Sequence, residues 1–188
     1  NHEGTTFLHE KLEHLLSKAL DEELIEDAII CKNDLERNKL WEIRENAAEN
    51  EKKELINSHA KKCLKHDISL PINNIEKFHQ ETQKMISSKI KNTRTIFFGH
   101  LGDGNLHYNI FGNGKGDDGF ENQSQNITEN LYKIIEKLNG SFSAEHGIGQ
   151  LKKDNLKFFK DPVAYDLMKN MKKMIDPKNI MNPGKILI

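Results

Sequence analysis

Arginine is scarce: of 28 basic side chains in 188 residues, only Arg37, Arg44 and Arg94 are arginines. Lysine cannot reproduce the bidentate guanidinium fork, so each of the three is a candidate for carboxylate recognition. With 29 acidic residues the net charge is −1, and the clustered basic excess of proteins that bind nucleic acid or anionic lipid is missing. Cysteine is nearly absent too. Cys31 and Cys63 form no CxxC pair, which argues against a disulfide framework or a thiolate zinc site and leaves two buried free thiols in a reducing compartment as the expectation. No run approaches the roughly 18 apolar residues of a transmembrane segment. The opening NHEGTTFLHEKLEHLL lacks the basic, apolar and small-residue zones of a secretion signal. Opening on Asn1 rather than Met, the chain reads as a piece of a longer protein, with the length of one ordinary domain over residues 1–188.

Leu8, Leu12, Leu15, Leu16 and Leu20 recur at helical spacing, predicting an amphipathic helix over 7–19. Asp27–Lys32 is a short apolar run that predicts a strand. From Asp34 to about Ala60 helix formers dominate without Gly or Pro, so one long helix is expected there. A strand over 65–70 ended by Pro71, a helix over 74–89, and two β-rich runs, TRTIFFGH and LHYNIF, follow. After the Gly-rich loop 112–119 come a helix over 121–138, a short strand over 141–144, a helix ending near Phe159, and a last helix opened by Asp161-Pro162. Strands and helices interleave without the alternation of a doubly wound sheet. The expected class is therefore α+β, an antiparallel sheet with helices packed on one face.

The densest chemical signal is HLGDGNLH, His100 to His107. If Asp103-Gly104 forms a two-residue type I′ turn, His100 lies opposite His107 with Cβ atoms about 5 Å apart, and Asn109 returns to the same face. Two such imidazoles with one oxygen ligand suit a divalent ion such as Zn²⁺ or Mn²⁺ and leave positions open for substrate. Alternatively, two half-buried histidines merely flank a tight turn. The second cluster is SAEHGIG, where Glu145 and His146 precede a glycine-flanked helix start. On an extended segment these neighbours face opposite ways, so Glu145 would serve the metal and His146 something else. Arg44 in LWEIREN and Lys65 in KHDISLP read from spacing alone as solvated surface charges.

Taken together, LWEIRE, DISLP, HLGDGNLH with Asn109, SAEHGIG and the closing DPKNIMNPGKIL resemble, in the same order, the C-terminal substrate-binding half of FAD-linked 2-hydroxy-acid dehydrogenases. These are flavoproteins of the vanillyl-alcohol-oxidase type, a group that includes D-2-hydroxyglutarate and D-lactate dehydrogenases and the glycolate oxidase D subunit. The resemblance covers essentially the whole chain. It implies His100, His107 and Glu145 as metal ligands, Asn109 as a substrate contact, His146 beside the flavin as base, His146 and Asn182 as flavin contacts, and Arg44 with Lys65 on a substrate carboxylate. Members similar to the hydroxyglutarate enzyme carry a Thr one helical turn after the Arg. Here Ala48 stands there, and several extra residues separate Arg44 from Lys65, so both dicarboxylic and short monocarboxylic 2-hydroxy acids stay open as substrates.

The resemblance further implies that FAD is held mainly by a separate N-terminal domain, of which nothing is recognisable here: no Gly-rich dinucleotide loop follows a strand. The partners implied are that domain, a small 2-hydroxy acid, and an acceptor protein or quinone. The location implied is cytoplasm or mitochondrial matrix, in solution or peripheral to a membrane. A rival reading from the residues is a non-redox metal-binding module, either structural or a zinc hydrolase with Glu145 acting as base on a metal-bound water.

Overall fold

A computed structural model describes residues 2–57, 63–112 and 119–187. The chain divides into two compact units, Asn1–Glu49 and Asn50–Ile188.

The first unit contains α1 (His2–Asp21) and α2 (Asp34–Glu45). Asn33 caps α2 by accepting the Glu36 N–H at 2.9 Å, while Glu36 reaches back to the Lys32 N–H, also at 2.9 Å. This pairing satisfies one amide that the helix start leaves unpaired and ties down the residue before the cap. The expected long helix is interrupted: α2 stops at Glu45, Asn46 turns with φ −76° and ψ −2°, and α3 (Ala47–Asn57) begins anew. The predicted strand over Asp27–Lys32 is irregular backbone. A short apolar run needs a neighbouring strand to become one, and among the described residues none pairs with it.

The second unit is built on an antiparallel sheet of β1 (Cys63–Ser69), β2 (Arg94–His100) and β3 (Asn105–Phe111), in the order β1-β3-β2. Residues alternate between the faces. On one face Ile68, Leu106, Tyr108 and Ile110 join a buried cluster with Phe78 and Ile86 of α4 (Ile75–Lys89) and with Ile127, Leu131 and Ile135 of α5 (Phe120–Lys137). The spacing Phe78, Thr82, Ile86 is the inward stripe of α4. Each large apolar side chain so buried contributes about 1.5–3 kcal/mol. The sheet is thus covered by helices on one side, the α+β arrangement expected from the sequence. Its other face carries Lys65 and Asp67 from β1, Asn105, His107 and Asn109 from β3, and His100 from β2.

Buried in the helix-covered layer, His66 is held in one neutral tautomer. Its Nδ1 lies 3.1 Å from the Tyr108 carbonyl, which only accepts, so Nδ1 donates; Nε2, 3.2 Å from Thr128 Oγ1, accepts. Burial pushes its pKa down to about 4. Between pH 6.5 and 4 the unfolded chain therefore binds the proton that the folded chain refuses, and stability falls as the pH drops through this window. The expected loss is about 3 kcal/mol. Urea titrations at a series of pH values check this, and His66→Gln should remove that share of the pH dependence.

The connection from β2 to β3 differs from the expected two-residue turn. Leu101–Asp103 forms a single 3₁₀ turn closed by Gly104 at φ +69°. A Cβ on Gly104 would lie 1.9 Å from the Leu70 carbonyl oxygen, so any other residue would displace β1's exit. The longer loop pairs His100 with Asn105 and Phe98 with His107. His100 and His107 are thus diagonal neighbours rather than direct partners. The register has moved by an even number of residues, so both stay on the same face.

Beyond α5, the predicted strand at 141–144 shrinks to a bridge between Ser69 and Ser141, with N–H···O distances of 2.9 and 2.8 Å. It seats the following loop beside the polar sheet face. Then come α6 (Lys153–Phe159) and α7 (Pro162–Ile175). As the sequence predicts, Asp161 caps α7 by accepting the Ala164 N–H at 2.9 Å. The predicted loop 112–119 lies largely outside the described residues.

Candidate active site

The open sheet face and the loop 144–146 form one constellation, organised by a residue that spacing did not single out. Asp67 is 4% exposed. Its Oδ2 accepts the backbone N–H groups of Ala144, Glu145 and His146 at 3.1, 3.0 and 2.9 Å, and its Oδ1 accepts Asn105 Nδ2 at 3.3 Å. Three successive amides can converge on one oxygen only if the loop curls around it, as in anion-binding nests. Burial alone would raise the Asp67 carboxyl. The His146 amide and imidazole, with the amides of Ala144 and Glu145, outweigh it and hold the group below its ordinary value.

The curl corrects the expectation that Glu145 and His146 face opposite ways, because both meet His107. Glu145 Oε2 lies 3.9 Å from His107 Nε2, and Glu145 Oε1 lies 3.7 Å from His100 Nε2. The His146 ring stacks on His107 with centroids 5.5 Å apart and planes at 25°. His146 Nδ1 is 3.8 Å from Asp67 Oδ2, which leaves Nε2 on the far side of the ring, and the side chain is 67% exposed. His107 packs against its cross-strand partner Phe98 at 5.1 Å and is only 18% exposed.

Glu145 therefore spans the two histidines with one oxygen each, at separations too long for hydrogen bonds. Two donors on one zinc at about 2.0–2.2 Å lie roughly 3.4 Å apart, so the two gaps approach the size that a bound cation fills. The donor set, two imidazoles and a carboxylate, fits such an ion. The group closed most tightly among the described residues is a different one: Asp67, His107 and His146, with candidate ligand atoms within 4.8 Å of one another. Asp67 Oδ2 already accepts three amides, so its ligand capacity lies with Oδ1, 3.8 Å from His107 Nδ1.

Lys65 and Asn109 are direct cross-strand partners on this face. Both bind a second residue that spacing did not reveal: Lys65 Nζ lies 2.6 Å from Glu51 Oε1, and Asn109 Nδ2 donates to Glu51 Oε2 at 2.7 Å. Glu51 comes from α3 and is 5% exposed. Burial, followed by the Glu51 charge, pushes the neighbouring Cys63 thiol up to about 11, so it stays protonated. Cys31 and Cys63 are both free and half-buried. Arg44 lies in the last turn of α2, in the first unit. Asn182 sits in the closing turn with φ +47°, its carbonyl accepting the Lys185 N–H at 3.3 Å. The Ala48 side chain is outside the described residues.

Against known families, the profile described as FAD linked oxidases, C-terminal domain, matches residues 2–186. The chain belongs to this family. Among curated relatives, D-2-hydroxyglutarate dehydrogenase of Stutzerimonas stutzeri is 34% identical over 161 residues, 85% of this chain and 33% of that protein. The mitochondrial D-2-hydroxyglutarate dehydrogenase of Arabidopsis thaliana is 34% identical over 179 residues, 95% of this chain and 30% of that protein. The mitochondrial D-2-hydroxyglutarate dehydrogenase of Danio rerio is 33% identical over 184 residues, 98% and 32% respectively. This FAD-linked oxidase C-terminal domain thus spans about a third of the length of the curated relatives it matches. No helix among its described residues is long and apolar enough to cross a membrane.

Proposed function

We propose that this domain binds substrate and metal in a flavin-dependent dehydrogenase that oxidises a D-2-hydroxy acid to the 2-oxo acid. The observation that carries the reading is the span of Glu145 across His100 and His107, on the face where His146, Lys65 and Asn109 also stand. When bound, FAD supplies a two-electron acceptor, and a divalent ion such as Zn²⁺ or Mn²⁺ supplies Lewis acidity that lowers the pKa of the substrate hydroxyl.

The chain's own residues do the rest. His100, His107 and Glu145 hold the ion. His146 Nε2, set opposite the Asp67-facing nitrogen, takes the hydroxyl proton as general base. Arg44 is a cation for carboxylate recognition, and Lys65 with Asn109 forms a carboxylate subsite that Glu51 engages in this structure. His146 and Asn182 contact the flavin, and FAD is held mainly by a further domain. Electrons leave for an acceptor protein or quinone, and the enzyme works in a cytoplasm or mitochondrial matrix, in solution or peripheral to a membrane.

The alternative ligand set, Asp67 with His107 and His146, is favoured by its tighter geometry. A hydrolase reading would use that set with Glu145 left over as base. Reconstitution with Zn²⁺ or Mn²⁺, dialysis and elemental analysis separate the two. One ion per chain is expected, lost in His100→Ala and Glu145→Gln. Full metal retention in both variants would contradict the proposal and favour the alternative set.

A further inference from the structure

Lys65 and Asn109 approach the two oxygens of one carboxylate from opposing strands, one donor to each oxygen, at 2.6 and 2.7 Å. That is how a site for a free carboxylate is built: a cation for the charge, and an amide that fixes orientation. The position is filled by the chain itself. Glu51 is 5% exposed and Asn109 is 3% exposed, so neither is a casual surface contact. Asn109 lies two residues along β3 from His107, a step of about 7 Å. This is comparable with the distance between the two ends of a short diacid whose hydroxyl end stands at His107.

We propose that Glu51 occupies the subsite where a second substrate carboxylate would bind, so that this protein selects 2-hydroxy acids bearing a single carboxylate. The inference rests on the flavin-linked reading above. A second carboxylate arriving here meets a buried charge of its own sign. To displace Glu51 it must strip that group of both partners while it remains buried, a cost that an exposed surface glutamate would not impose. A monocarboxylic acid, whose one carboxylate sits beside its hydroxyl, meets no such obstacle.

Two measurements judge this separately. In the ¹⁵N-labelled 188-residue chain, the Asn109 side-chain amide should be indifferent to glutarate in the wild type and should shift saturably in Glu51→Ala. An amide that shifts in the wild type, or in neither form, contradicts the proposal. In the two-domain flavin enzyme, kcat/KM for D-lactate should exceed that for D-2-hydroxyglutarate. In Glu51→Gln the ratio of dicarboxylate to monocarboxylate should rise at least tenfold. A wild-type preference for the dicarboxylate, or a ratio that does not move, overturns the assignment. Oxidation of neither acid overturns the underlying flavin reading and with it the substrate class, whereas the Asn109 signal still reports on the subsite itself.

Discussion

Asp67→Ala is expected to lower the unfolding free energy by about 3–5 kcal/mol, because it removes the acceptor of three loop amides and one side-chain amide from a buried position. Hydrogen bonds to a charged partner are individually worth about 1.5–3 kcal/mol, and donors stranded without an acceptor add their desolvation cost. Against a total stability of roughly 5–15 kcal/mol the loss is large. Urea denaturation gives the magnitude, and hydrogen exchange at the amides of Ala144, Glu145 and His146 gives the location, with protection expected to fall there first. Asp67→Asn should recover part of the loss, since it keeps an acceptor oxygen but not the charge. Unchanged exchange at those amides in Asp67→Ala would mean that the loop is held by something other than this carboxylate.

The second large effect belongs to His146. A general base acts in the transition state, so His146→Ala in the two-domain enzyme should depress kcat by about 10²–10⁴-fold while KM changes far less. The ring's seating gives the reason: stacked on His107 with Nδ1 toward Asp67, it presents Nε2 outward. His146→Gln should not restore turnover, because an amide can hydrogen-bond but cannot take a proton. A comparable loss confined to KM would make His146 a binding residue.

Local pattern sufficed where local physics decides the outcome. The 3.6-residue stripes of α4 and α5, the cap and proline at Asp161-Pro162, and the two runs that became β2 and β3 were all legible. So was the sharing of one sheet face by His100, His107 and Asn109, which survived an incorrect turn because the register moved by two residues. The run at 27–32 misled because strand formation depends on a neighbour that the run itself cannot reveal. The break at Asn46 arrived without glycine or proline to announce it. Asp67 and Glu51 escaped notice for another reason. Their roles come from contacts 78 and 58 residues away in sequence, and nothing in their own neighbourhoods distinguishes them from the other 27 acidic residues of the 29. A signal for Asp67 did exist: it alternates onto the same strand face as Lys65. Only the sheet shows that this face is the open one.

Anaerobic rapid mixing of the FAD-loaded two-domain enzyme with D- and L-2-hydroxy acids, with the flavin's visible absorbance followed, tests whether this sheet face serves oxidation of a D-2-hydroxy acid. Rapid bleaching by the D-enantiomer is expected in the wild type, with bleaching slowed by about 10²-fold or more in His146→Ala and none with the L-enantiomer. Bleaching in His146→Ala at the wild-type rate, or no bleaching by any D-2-hydroxy acid in the wild type, would contradict that role.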